Sequence, residues 1–251
     1  MFVPENSVHT MFEKQIEAYE TLRKEYNQWV TLRMNREDLK EYNEVLFSAH
    51  SCAIEGNSFS VNDTRELKEK GLGVIPQGKT LFEAFEMLDH FNAYEYLFAQ
   101  PSQPLTEEML KETHRILMLH TIAYKYPGAQ AGEYTDTDMA AGDTLFGDHE
   151  QLIARVPQLL RSTQSALEAN QVHPMIIAAR FHGLGLRVQQ RFGFFFRADF
   201  IVLLVAVPAL QLDDSLLLHV PDAAAELTGY DVHGLSQFSC GELHLTGFHA
   251  H

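Results

Sequence analysis

Apolar residues recur at helical spacing over residues 11–30 and again over 39–50, which predicts an antiparallel helix pair at the start of the chain. SVNDTRELKEKG then offers Asn62 or Asp63 as an N-cap, acidic and basic residues four apart, and Gly71 as a stop, the pattern of a short surface helix. The strongest periodicity lies in GKTLFEAFEMLDHFNAYEYLFAQ. There Phe82, Phe85, Leu88, Phe91, Tyr94 and Phe98 repeat every three or four residues, and Pro101 ends the run. Thr106, followed by Glu107 and Glu108, opens another helix through Leu119. YPGAQAGEYTDTDMAAGDTLFG carries Pro127, Gly128, Gly132, Gly142 and Gly147, a turn-rich stretch with room for a short hairpin at most. Helical spacing resumes over 149–169 and 173–191. No internal repeat or low-complexity tract is present.

Length and composition turn these elements into an organisation. A chain of 251 residues with 45% hydrophobic content buries one sizeable core or two modest ones. The expected layout is a helical arm over 1–50, a core over 51–211 and a tail over 212–251. A formal charge of −15 argues against a sequence-independent nucleic-acid binder and leaves only a local basic pocket to hold a phosphate. FIVLLVAVPAL, residues 200–210, is about half the ~20 residues a membrane span needs and reads as core. Neither nucleic acid nor membrane is therefore expected as a partner, while a homo-oligomer stays open. Cys52 and Cys240 allow at most one disulfide, and MFVPENSVHT lacks the basic and apolar regions of a leader, so a cytoplasmic location is expected.

Candidate chemistry enters through a series of segments: IEGNSFSVNDTRELKEKG, GK with EMLDHFNAYEYL, LTEEMLKETHRILM, the turn GEYT, and HPMIIAARFH. In order and spacing, over residues 40–188, they resemble the Fic (Fido-fold) family. The resemblance implies a mainly α bundle with a short β-hairpin flap near 132–147. It also implies transfer of AMP from ATP, with Mg²⁺, to a hydroxyl side chain of a protein substrate. SCAIEG is similar to the family's inhibitory pattern, with Ser51, Glu55 and Gly56 at its defining positions. That similarity implies that Glu55 pairs with an arginine that would otherwise hold the ATP γ-phosphate. The competition has a simple physical basis: a carboxylate aimed at a guanidinium forms a charge-assisted pair with the donors a phosphate would use. The alternative is a solvated glutamate just before a glycine helix stop.

The family's catalytic signature is expected directly after ARFH: His-Pro-Phe, two variable residues, Gly-Asn-Gly-Arg, and a second arginine three residues on. An ungapped continuation instead reads RVQQRFGFFFRADF. Gln189 stands at the place of the general-base histidine, Gly193 at the acidic place, Phe194, Phe195 and Phe196 at Gly-Asn-Gly, Arg197 at the first arginine and Phe200 at the second. Glutamine has no titrating nitrogen, so Gln189 orients a hydroxyl without taking its proton. Three phenylalanines place Cβ atoms and rings where backbone N–H groups would approach a phosphate. Arg197 keeps five donors for a phosphate or for Glu55, set against the alternative of a surface arginine with a buried stem.

No other histidine replaces the base by spacing. His182 precedes Gln189 by seven residues, about 10 Å along a helix. His90, His114 and His173 sit at helix positions where structural roles are the expectation, and His244, His249 and His251 lack metal-site spacing, so no metal ligands are assigned. No lysine follows Lys125, and beyond about residue 183 the pattern changes. Three readings follow. One is an adenylyltransferase held inactive by Glu55, with activity weak or lost. The others are a non-catalytic binding or regulatory protein on the same scaffold, and a domain truncated by a frame-changed C-terminal segment.

Overall fold

Asn35 starts the first long helix of the core, its side-chain oxygen accepting from the N–H groups of Glu37 and Asp38, both at 2.9 Å. The structure, a computed structural model, describes residues 13–26, 28, 35–99, 103–134, 140–141, 144–145 and 149–181. The helices are α1 (Glu13–Tyr26), α2 (Arg36–Ile54), α3 (Val61–Lys70), α4 (Leu81–Phe98), α5 (Glu107–Leu117), the single turn α6 (Ile122–Lys125), α7 (Leu152–Ala169) and α8 (174–181). A mainly α fold is what the periodicity predicts. Helix α2 runs unbroken across residue 50, where arm and core were expected to meet.

Caps account for most of the boundaries. Helix α3 is capped by Ser60, not by Asn62 or Asp63: Ser60 Oγ accepts from the Asp63 N–H at 3.2 Å, and the Asp63 carboxylate accepts the Ser60 N–H at 2.9 Å. Asp63 is thus the third-position partner in a capping box, a pattern equally readable from SVND. Gly71 ends the helix as expected. Thr80 and Glu83 form the same box at the start of α4, and Thr106 caps α5.

Helix α4 is the central element, packed against α2, α3 and α5. Its buried positions include Ala84, Met87, His90, Phe91, Ala93, Tyr94 and Leu97, whereas Phe82, Phe85, Leu88 and Phe98 are only partly covered. Surrounded on several sides, the helix buries its small and mid-sized residues and leaves much of the aromatic stripe at the margins. One part of the core gathers Phe47, Tyr94, Leu97, Met109, Leu110, Leu117, Val156, Leu160, Met175 and Ile177 from α2, α4, α5, α7 and α8. The other, of Cys52, Phe59, Leu67, Ala84, Met87 and Phe91, lies beneath the turn that follows α2. Ala140–Ala141 and Thr144–Leu145 form a two-residue antiparallel ladder, with Ala140 opposite Leu145. The residues between and beside the two strands lie outside the described residues. Among the described residues no helix is long and apolar enough to cross a membrane.

Candidate functional site

The turn from Ser51 to Ser60 is built from the end of α2 outward. Glu55 is the C-cap, its N–H donating to the Cys52 carbonyl at 3.1 Å, and Gly56 N–H reaches the Ala53 carbonyl at 3.0 Å. Gly56 has φ +89, a conformation that glycine enters without the cost a Cβ would bring. Ser51 is buried one turn before, and Glu55 is exposed. Among the described residues no cation pairs with the Glu55 carboxylate. The glutamate therefore leaves a held backbone with its side chain exposed.

What fixes that backbone is Asn57. Its amide donates to the Glu83 carbonyl at 3.0 Å and to a Glu86 carboxylate oxygen at 2.8 Å, while its own oxygen accepts the Phe59 N–H at 3.0 Å. Both amide hydrogens and the carbonyl are in use, as a side chain only 6% exposed requires. Glu83 holds the next residue, accepting the Ser58 N–H at 2.8 Å and the Thr80 N–H at 2.9 Å. Burial pushes the Glu83 carboxyl up, but hydrogen bonds from Ser58 and Thr80 outweigh it and bring the pKa down to about 2. Lys79 reaches the Ser58 carbonyl from the other side and lies 3.5 Å from the Asp63 carboxylate.

Three carboxylates spaced three apart on α4 continue the pattern. Glu86 also accepts from Lys125 Nζ at 2.6 Å, with the glutamate side chain 6% and the lysine 22% exposed. Asp89, fully buried, accepts the His120 backbone N–H at 2.9 Å and faces its ring Nδ1 at 2.6 Å. The His120 imidazole stacks on Phe85, with centroids 5.0 Å apart and planes 10° from parallel. Burial pushes the Asp89 carboxyl up, and the His120 hydrogen bonds only partly oppose it. The acidic row Glu83, Glu86 and Asp89 thus fastens both the Glu55 turn and residues 118–125 to one helix.

None of these partners emerges from the sequence reading, which weighs Ser51, Glu55 and Gly56 but not Asn57, Glu86, Asp89, His120 or Lys125. The available signal was three acidic residues inside an otherwise apolar helix, since carboxylates are rarely buried without partners. Gln189, Arg197, Gly193 and Phe200 lie outside the described residues. Of the histidines expected to be structural, His90 is buried with Nδ1 3.0 Å from Ser48 Oγ, and His114 Nδ1 accepts the Gly132 N–H at 2.8 Å. His173 caps its own helix, Nδ1 accepting from the Met175 N–H at 3.2 Å. The Gly132 contact docks the GEYT turn on α5: φ is +83, and a Cβ there would meet Arg115 Cβ at 2.9 Å. Among the described residues no group of three His, Cys, Asp or Glu side chains could hold a metal ion.

No family model matches the chain. Solved structures do. A Fic domain containing signaling protein from Bacteroides thetaiotaomicron matches with TM-score 0.55 at 15% identity, over 85% of this chain and 98% of that one. Fic-1 (aa134–508) from C. elegans matches with TM-score 0.57 at 22% identity, over 90% of this chain and 73% of that one. The chain has the Fic fold. In sequence, the Fic-fold chain is 31% identical over 138 residues to a protein adenylyltransferase Fic of Drosophila grimshawi. The match covers 53% of this chain and 26% of that protein, so the Fic-fold chain spans about a quarter of the curated relative it matches.

Proposed function

We propose that this chain is a nucleotide-binding protein of the adenylyltransferase type, held shut by Glu55 and with little or no transfer activity of its own. The observation that carries the reading lies at the end of α2: an exposed carboxylate with no cation partner among the described residues, on a backbone tied to α4 by the buried Asn57. A merely solvated helix end does not need a buried asparagine to aim it. The similarity to a protein adenylyltransferase supports adenylyl transfer to a protein, with ATP as donor and a hydroxyl as acceptor being what the family resemblance implies.

In this reading Arg197 holds a phosphate of the nucleotide, and Glu55 competes for the same guanidinium. When bound, Mg²⁺ would neutralise phosphate charge; the described residues gather no ligand set for it. Gln189 would orient the attacking hydroxyl but leave its proton in place. The non-catalytic reading rests on that same residue and on Phe194, Phe195 and Phe196.

Incubation with labelled ATP and Mg²⁺ separates the readings. A missing general base typically costs ~10²–10⁴-fold in rate, so labelling of the chain and of bulk protein stays near background. Strong labelling that survives Gln189→Ala would overturn the loss of activity and show that another residue serves as the base.

A further inference from the structure

The geometry points to Asn57, Glu86 and Lys125 as positioning residues for the Glu55 switch, a chain of contacts through which the segment after α5 sets the inhibitory carboxylate. This inference rests on the inhibitory reading of Glu55 and deepens it. Glu86 stands at the centre with its two oxygens divided: one accepts the Asn57 amide at 2.8 Å, the other Lys125 Nζ at 2.6 Å. Asn57 is two residues from Glu55, and its remaining contacts bind the turn to α4 at the Glu83 carbonyl and close the turn on Phe59. Glu86 is nearly fully buried, so its charge depends on protein donors, Asn57 and Lys125 among them, and not on water.

The consequence is directional. Loss of the Glu86 charge weakens both the asparagine and the lysine contacts, and the turn then swings with Glu55 attached. Loss of Lys125 leaves Glu86 to re-aim toward Asn57 or toward solvent. In either case the carboxylate spends less time where it competes for a phosphate-binding guanidinium. Residues 118–125 lie on the same face through Asp89 and His120, so a partner or ligand that shifts this segment would be felt at Glu55 without touching it.

The test is calorimetry with ATP and Mg²⁺ on the full chain and on Glu55→Gly, Glu86→Gln and Lys125→Gln, with each of the last two also in the Glu55→Gly background. Hydrogen exchange at the Ser58 and Phe59 amides is followed in parallel. The expected result is faster exchange and a several-fold tightening of ATP binding in Glu86→Gln, with a smaller tightening in Lys125→Gln and no further change once Glu55 is glycine. A purely structural role would alter affinity equally in both backgrounds, and that result overturns the inference. Tightening in Glu55→Gly but not in Glu86→Gln or Lys125→Gln overturns the inference alone. No tightening in Glu55→Gly removes the inhibitory reading, and the inference falls with it. Lys125→Gln, at the more exposed end, keeps the test decisive should Glu86→Gln fold poorly.

Discussion

His120 closes on Asp89 with two groups at once, its backbone N–H at 2.9 Å and its ring Nδ1 at 2.6 Å, and so ties the end of the α5 region to the middle of α4. The carboxylate is fully buried, and burial dominates its pKa, which lies above the usual value. The charge is thus held at a cost, whereas the acceptor atoms are needed.

Asparagine keeps one of those acceptors and removes the charge. Asp89→Asn is therefore expected to change stability by no more than about 1 kcal/mol, the net size of an ordinary hydrogen bond. Asp89→Ala, which strands the His120 N–H and empties the site, is expected to cost ~2–3 kcal/mol. Urea unfolding of both variants checks this, and an equal cost for the two would mean that the charge itself holds the segment.

Glu83 titrates the other way. Its folded pKa of about 2 lies below the ordinary value of 4.5, so its contribution is fully present above the ordinary value and is lost as pH falls through the folded one. Stability followed between about pH 5 and pH 2 should show a decline that Glu83→Gln flattens. The exposed part of the capping box tempers the size of the effect but not its sign. A slope unchanged in Glu83→Gln would place the proton uptake on other carboxylates.

Much of this fold was legible because its helices announce themselves locally. Thr106 with two glutamates behind it, the Gly71 stop and the apolar run of 81–98 each determine their element without reference to the rest of the chain. The cap at Ser60 was missed because Ser60, Asn62 and Asp63 all suit that role, and the spacing of Ser60 to Asp63 as a capping box was the signal that separates them. The periodicity marked α4 as a helix without fixing its buried face, because a helix covered on several sides lacks a single apolar stripe. At the candidate site the local motif drew attention to Ser51, Glu55 and Gly56. Asn57 and Glu86 are 29 residues apart in the chain, and only tertiary packing brings them together. The polar partners of this turn are set by such long-range contacts, which spacing along the chain does not encode.

Calorimetric titration of ATP and Mg²⁺ into the full chain and into Glu55→Gly tests the central claim most directly. In the proposed reading the nucleotide displaces a charge-assisted Glu55–Arg197 pair worth at least ~1.4 kcal/mol, so Glu55→Gly should bind ATP about tenfold or more tightly than the parent. Circular dichroism and thermal unfolding establish that the variant is folded. Equal affinities in two folded proteins, or no binding by either, would contradict the account and leave Glu55 as a solvated helix end.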